Sequence, residues 1–216
     1  TMSLQSPILI AGAGPVGLSL ALALSRAGIP AEVFEADAEL NMQIRASTFH
    51  PKTLELFKDW GVVDDILQHG YKVDRLQYWE RAPRRLIADF RYASVSNDTP
   101  YPYRLQCPQH IATRFLKPAV EATVTGKVHM GHKLIDFVDH GTHVTARIRS
   151  ASGIVEREGS YIVGADGTHS TVRKQLNISF QGKTYEDRFL LIGSDLNTND
   201  LLPGAAQVCY IFDPKE

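Results

Sequence analysis

The residue types and spacing best suited to chemistry lie near the start of the chain. Gly12-Ala13-Gly14-Pro15-Val16-Gly17 follows directly on the apolar run 8–11, and a second apolar run, 31–34, ends on Glu35. This glycine spacing suits a turn that receives phosphate. Gly12 lets the chain leave a strand in a tight turn, Gly14 removes a side chain so that backbone can approach a pyrophosphate, and Gly17 lets a helix pack close to a sheet. Pro15 fits the first helical turn, which has no use for its missing N–H. Ala13 and Val16 complete the turn. Free N–H groups and the positive end of the helix dipole then face phosphate oxygens. Glu35 falls where a carboxylate accepts hydrogen bonds from both hydroxyls of a ribose.

Such residues work only if the elements around them hold them. The segment from Val16 to Ala27 is Ala/Leu-rich and stops at Gly28. The order is therefore strand, glycine turn, helix, strand, acid, which is that of a dinucleotide-binding βαβ unit. A second constellation lies at Tyr161-Ile162-Val163-Gly164-Ala165-Asp166-Gly167, an apolar strand ending in an acid between glycines. A carboxylate at a strand's carboxyl end sits where ligands bind in open α/β folds. It equally suits an Asp-Gly turn capping a helix over 170–176. Arg173, inside that helix, could face an anion or solvent.

The rest of the chain alternates between two patterns. Residues 50–60 have helical spacing, with Thr53, Leu54, Phe57 and Trp60 toward one side, Pro51 at the start and Gly61 at the end. A short helix follows over 62–68. Residues 74–80 and 86–92 alternate as strands, joined by a turn that carries Arg81, Arg84 and Arg85 and reads as a solvated tip. Residues 109–123 read as a helix with Ile111, Phe115, Leu116, Val120 and Val124 on one face, and Pro118 argues for a kink. Strands are expected at 128–130, 134–138, 143–148 and 154–158, then at 188–195 and 207–212. The class is α/β. A nucleotide domain built from 1–71 and 106–176 is interleaved with a strand-rich region from 72–105 and 177–216.

Composition narrows the function. The chain has 216 residues, 44 % hydrophobic and 22 % charged, as expected of a globular protein with a sizeable core. A net charge of −1 gives no footing for nucleic acid or an anionic membrane surface. Cys107 and Cys209 form no CxxC pair, which suits a reducing cytoplasm. No secretory signal is visible, and the apolar helix near the start is too short to span a bilayer. The pairs His129/His132 and His140/His143 lack a third ligand at metal-binding spacing, so no metal is expected. There is no G-x-S-x-G, H-E-x-x-H or P-loop.

Three stretches together resemble the flavin-dependent aromatic hydroxylases of the p-hydroxybenzoate hydroxylase class. They are the glycine turn with Glu35, Arg45-Ala46-Ser47 before the Thr53-Leu54-Glu55-Leu56-Phe57 helix, and Gly164-Ala165-Asp166-Gly167 leading to Ser170, Val172 and Arg173. The resemblance implies a Rossmann-like FAD-binding domain with a three-layer core and a partial substrate domain. It implies that Gly12, Ala13, Gly14, Pro15, Val16 and Gly17 bind the FAD pyrophosphate and that Glu35 binds the adenosine ribose. It places Arg45 over the FAD, Gln109 on the ribityl chain and flavin, the Leu134 backbone beside adenine, and Asp166-Gly167 near both FAD and NAD(P)H. In such enzymes NAD(P)H reduces FAD, and O₂ then supplies a hydroxyl group to an electron-rich aromatic ring. The family's third motif, a downstream Gly-Asp, is absent, so the chain reads as the N-terminal portion of a larger enzyme. A flavin- or nucleotide-binding module without catalysis is the alternative, followed by a related flavoprotein reductase or halogenase. The resemblance singles out no catalytic base and no oligomeric state.

Overall fold

In a computed structural model of the chain, residues 6–43, 46–186, 188–190 and 192–213 are described. The centre is a parallel sheet of four short strands, β1 (Ile8–Ala11), β2 (Ala31–Phe34), β8 (Gly126–His129) and β12 (Tyr161–Gly164), in the order β12-β1-β2-β8. Ile8 lies opposite Tyr161 on one side and Ala31 on the other. Both faces of the central strand β1 are covered, and it is a continuous apolar run rather than an alternating one. Ile10, Ala31 and Val33 point to one core, and Leu9, Ala11 and Phe34 to the other.

The first core is covered by helices. α1 (Pro15–Arg26) buries Leu18, Ala21 and Leu22, and α4 (Gln109–Glu121) buries Ala112, Leu116 and Val120. Between them in sequence lie β3 (Thr48–Phe49), α2 (Pro51–Asp59), α3 (Val63–His69), β4 (Tyr71–Val73) and β7 (Arg104–Gln106). Leu54, Phe57, Val63 and Ile66 of α2 and α3 extend the same core. Leu18 and Leu22 are fully buried, and truncating either to Ala would cost about 2–5 kcal/mol. The second core lies under an antiparallel meander, β9 (Lys133–Asp139), β10 (Val144–Ser150) and β11 (Gly153–Gly159), with α5 (Thr171–Gln175) at its edge. Helices, parallel sheet and meander make three layers, the α/β class expected.

A separate sheet joins distant parts of the chain. β5 (Arg75–Glu80) pairs antiparallel with β6 (Arg85–Arg91) and parallel with β13 (Val208–Phe212). Tyr78 stacks on Tyr210 and Phe212 there. The hairpin arginines are exposed but partnered: Arg85 pairs with Glu80 at 2.9 Å and Arg81 with Asp213 at 3.3 Å. A four-residue helix, α6 (Thr198–Leu201), precedes β13.

Two expectations are corrected. The strand expected over 188–195 is not formed among the described residues. Phe189, Leu190 and Ile192 stand in solvent with no neighbouring strand to take their backbone hydrogen bonds. Val124 does not share the buried face of α4: the helix ends at Glu121, and Val124 is fully exposed. Pro118 lies inside α4, which continues past it to Glu121 because only one backbone bond lacks its donor and packing against α1 holds the rest.

Glu32 shows how the sheet's outer edge is held. Its carboxylate lies 3.3 Å from His129 Nε2 and 3.2 Å from Lys127 Nζ across the β2–β8 pair. The His129 hydrogen bond and the Lys127 ammonium outweigh partial burial and bring its pKa from the ordinary 4.5 down to about 2. A lowered acid contributes stability above its unfolded value and loses it as pH falls through the folded one. We therefore expect stability to fall between pH 4.5 and about 2 more steeply in the wild type than in Glu32→Gln, as read from urea midpoints across that range.

Candidate functional site

The glycine turn sits where strand order reverses. β2 flanks β1 on one side and β12 on the other, and ligands bind outside the carboxyl ends of strands at such a point. Gly12 leaves β1 with φ +101°, and its N–H donates to the Phe34 carbonyl at 2.8 Å. A Cβ at Gly12 would press into the Ala165 carbonyl and lie 3.0 Å from Asp166 Cα. A Cβ at Gly17 would collide with the Gly12 carbonyl oxygen. Gly14 differs, because a Cβ there meets nothing within 4 Å. Gly12 and Gly17 are small so that three backbone segments can meet, and Gly14 leaves open space. α1 starts at Pro15 with no side chain capping its first amides, so the positive end of its dipole stays available to an anion.

Glu35 is tied to this turn directly. Its Oε2 accepts from the Ala13 N–H at 2.7 Å and its Oε1 from the Asp37 N–H at 3.0 Å. Its backbone donates to the His129 carbonyl at 2.9 Å and accepts from the His132 N–H at 2.6 Å. Ala13 is therefore not among the free amides expected at the start of the helix.

Asp166 takes the capping role and also lines the cleft. Its Oδ2 accepts from the Thr171 N–H at 2.6 Å, and Ser170 Oγ accepts from the Arg173 N–H at 3.0 Å, so the pair caps α5. Its Oδ1 is buried with no hydrogen-bond partner among the described residues. Arg173 turns away: its guanidinium donates to the Thr168 carbonyl at 3.0 Å and lies over the Phe180 ring at 4.6 Å.

These segments enclose a cleft of about 560 Å³, a size usual for a small-molecule or cofactor site. Gly12, Ala13, Gly14, Pro15, Val16, Glu35, Gln109, Leu134, Asp166 and Gly167 all line it. Gly17 is not in the lining; it acts through packing. Arg45 lies outside the described residues. His110, Thr113, Lys133, His169 and Thr171 also face the cleft and were missed in the sequence. Thr113 was findable, since it lies one helical turn after Gln109 on α4. Lys133 adjoins Leu134, and His169 and Thr171 fall inside the Asp166–Arg173 stretch. The residues present fit a dinucleotide. An uncapped helix start and an open Gly14 face one end, and buried atoms without partners, Asp166 Oδ1 and His110 Nδ1, belong to residues of the wall. No three His, Cys, Asp or Glu among the described residues could share a metal ion.

Known proteins match this arrangement. A family model described as an FAD binding domain matches residues 5–216. Para-nitrophenol 4-monooxygenase of a Pseudomonas species is 26 % identical over 207 residues, covering 96 % of this chain and 51 % of that protein. The 6-hydroxy-3-succinoylpyridine 3-monooxygenase of Pseudomonas putida is 30 % identical over 190 residues, 88 % of this chain and 48 % of that protein. The chain thus spans about half the length of these two relatives. Among solved structures, p-nitrophenol 4-monooxygenase from Pseudomonas putida superposes with a TM-score of 0.77 at 26 % identity over 83 % of this chain and 45 % of that one. A flavin-dependent monooxygenase in complex with FAD and substrate superposes with a TM-score of 0.73 at 28 % identity, over 82 % of this chain and 33 % of that one.

The two kinds of glycine separate experimentally. Gly14→Val should leave the melting temperature nearly unchanged and weaken dinucleotide binding by at least about tenfold, or ~1.4 kcal/mol. Gly17→Val should lower stability by at least about 1–3 kcal/mol through overpacking. Thermal melts and nucleotide titrations of both variants check this.

Proposed function

We propose, since the chain belongs to the FAD-binding domain family of the flavin-dependent aromatic monooxygenases, that it is the FAD-binding portion of an enzyme that uses NAD(P)H and O₂ to hydroxylate a small aromatic substrate. The observation that carries this reading is the convergence of the glycine turn, Glu35 and Asp166 on one cleft at the sheet's switch point.

Bound FAD would supply the redox chemistry, passing electrons from NAD(P)H to O₂. The chain's own residues do the holding. Gly14 and the first amides of α1 take the pyrophosphate, with Gly12 and Gly17 giving the turn its shape. Glu35 would take the adenosine ribose, and the Leu134 backbone would hold adenine. Gln109, at the start of α4, would hold the ribityl chain and flavin. Asp166 and Gly167 close the cleft from the β12 side. Residues 1–71 and 106–176 form the FAD-binding domain, and 72–105 with 177–216 form substrate-domain strands. That β5, β6 and β13 share one sheet supports this division. Both cysteines are free, which suits a reducing cytoplasm. No helix among the described residues is long and apolar enough to cross a membrane.

Titrating FAD into the purified chain tests the reading. We expect a shifted flavin absorption band on binding and loss of that band when NADH or NADPH is added without oxygen. A chain that binds FAD but is not bleached is a flavin-binding module without catalysis. A chain that takes up NAD tightly and no FAD contradicts the proposal.

A further inference from the structure

The amides of the glycine turn fall into two groups. The first two are committed to the end of β2: Gly12 N–H to the Phe34 carbonyl at 2.8 Å, and Ala13 N–H to Glu35 Oε2 at 2.7 Å. Of the residues after them, Gly14 and Val16 carry amides and line the cleft, whereas Pro15 between them has no N–H. Ala13 is buried, 3 % exposed, so its N–H needs an acceptor, and the Glu35 carboxylate provides it. That carboxylate is itself fixed. The Asp37 N–H holds its other oxygen, and bonds from His132 to the Glu35 carbonyl and from Gly131 to the Asp37 carbonyl pin the backbone on both sides. Each carboxylate oxygen can accept more than one hydrogen bond, so holding Ala13 leaves room for a ribose hydroxyl.

We propose that Glu35 is a positioning residue for the phosphate turn, acting through the Ala13 N–H, in addition to any contact with ribose. This rests on the FAD reading above. The carboxylate sets the direction of the turn before ligand arrives, so removing it weakens ligands that have no ribose hydroxyls to offer. A carboxylate near a pyrophosphate would otherwise repel it; two N–H dipoles aimed at this one reduce that repulsion.

Two measurements on Glu35→Ala and Glu35→Gln test the proposal. The first is binding of FAD and of its 2′,3′-dideoxyadenosine analogue, followed by flavin fluorescence. We expect Glu35→Ala to bind the analogue at least about tenfold more weakly than wild type does, and Glu35→Gln, which keeps one acceptor oxygen, to fall between them. Equal binding of the analogue by wild type and both variants overturns the proposal and leaves Glu35 as a ribose contact only. The second is amide hydrogen exchange of the ligand-free chain. Ala13 should lose protection by about tenfold or more in Glu35→Ala while Gly12, bonded to Phe34, keeps its own. Unchanged protection at Ala13, or equal loss at both amides, overturns the proposal. If wild type binds neither flavin compound, the FAD reading falls, and the exchange result alone decides the role of Glu35.

Discussion

Everything at this site depends on three backbone segments approaching more closely than side chains would allow. The end of β1 with its turn, the first turn of α1, and the Ala165-Asp166 corner after β12 meet where Gly12 and Gly17 have no Cβ. A methyl group at either would lie inside the contact distance of a carbonyl oxygen. Protein interiors are close-packed, and such overlap is relieved only by moving backbone. Because β1, β2 and β12 also carry the main core, moving the turn would disturb both hydrophobic layers at once. The geometry of the glycine turn is therefore tied to the core beneath it.

The carboxylates fill in what packing leaves open. Glu35 ties the turn to β2, and Asp166 ties the opposite wall to α5. In each case a charged oxygen accepts from backbone N–H groups, which are stronger bonds than neutral pairs. The acids that the sequence suggests as ligand contacts thus also hold the cleft's walls in place. Such dual use suits preorganisation, in which a site is shaped before its ligand binds.

Much of this was legible in the sequence because local chemistry dictated it. The Ile8–Ala11 run, the glycine spacing and the Ala/Leu-rich helix led to the βαβ unit through period and turn residues alone. The meander over Lys133–Gly159 matches the strands that the sequence pattern suggests at 134–138, 143–148 and 154–158. What the sequence did not convey was set by contacts distant along the chain. That the backbone Gly17 packs against is the Gly12 carbonyl depends on where α1 crosses the turn. That Ala13 donates to Glu35, 22 residues on, depends on the parallel pairing of β1 and β2. His110 carried no signal, being one polar residue at the start of an amphipathic helix. Residues 188–195 misled because β-forming composition makes a strand only where a neighbour takes its hydrogen bonds.

The central claim is that the open part of the glycine turn grips a dinucleotide phosphate. Mapping backbone amide chemical shifts of the ¹⁵N-labelled chain during addition of FAD tests it most directly. The largest changes should fall at Gly14 and Val16, with smaller ones at Glu35, Gln109 and Asp166. Changes confined to the β5-β6-β13 sheet, with the glycine turn unmoved, would contradict it.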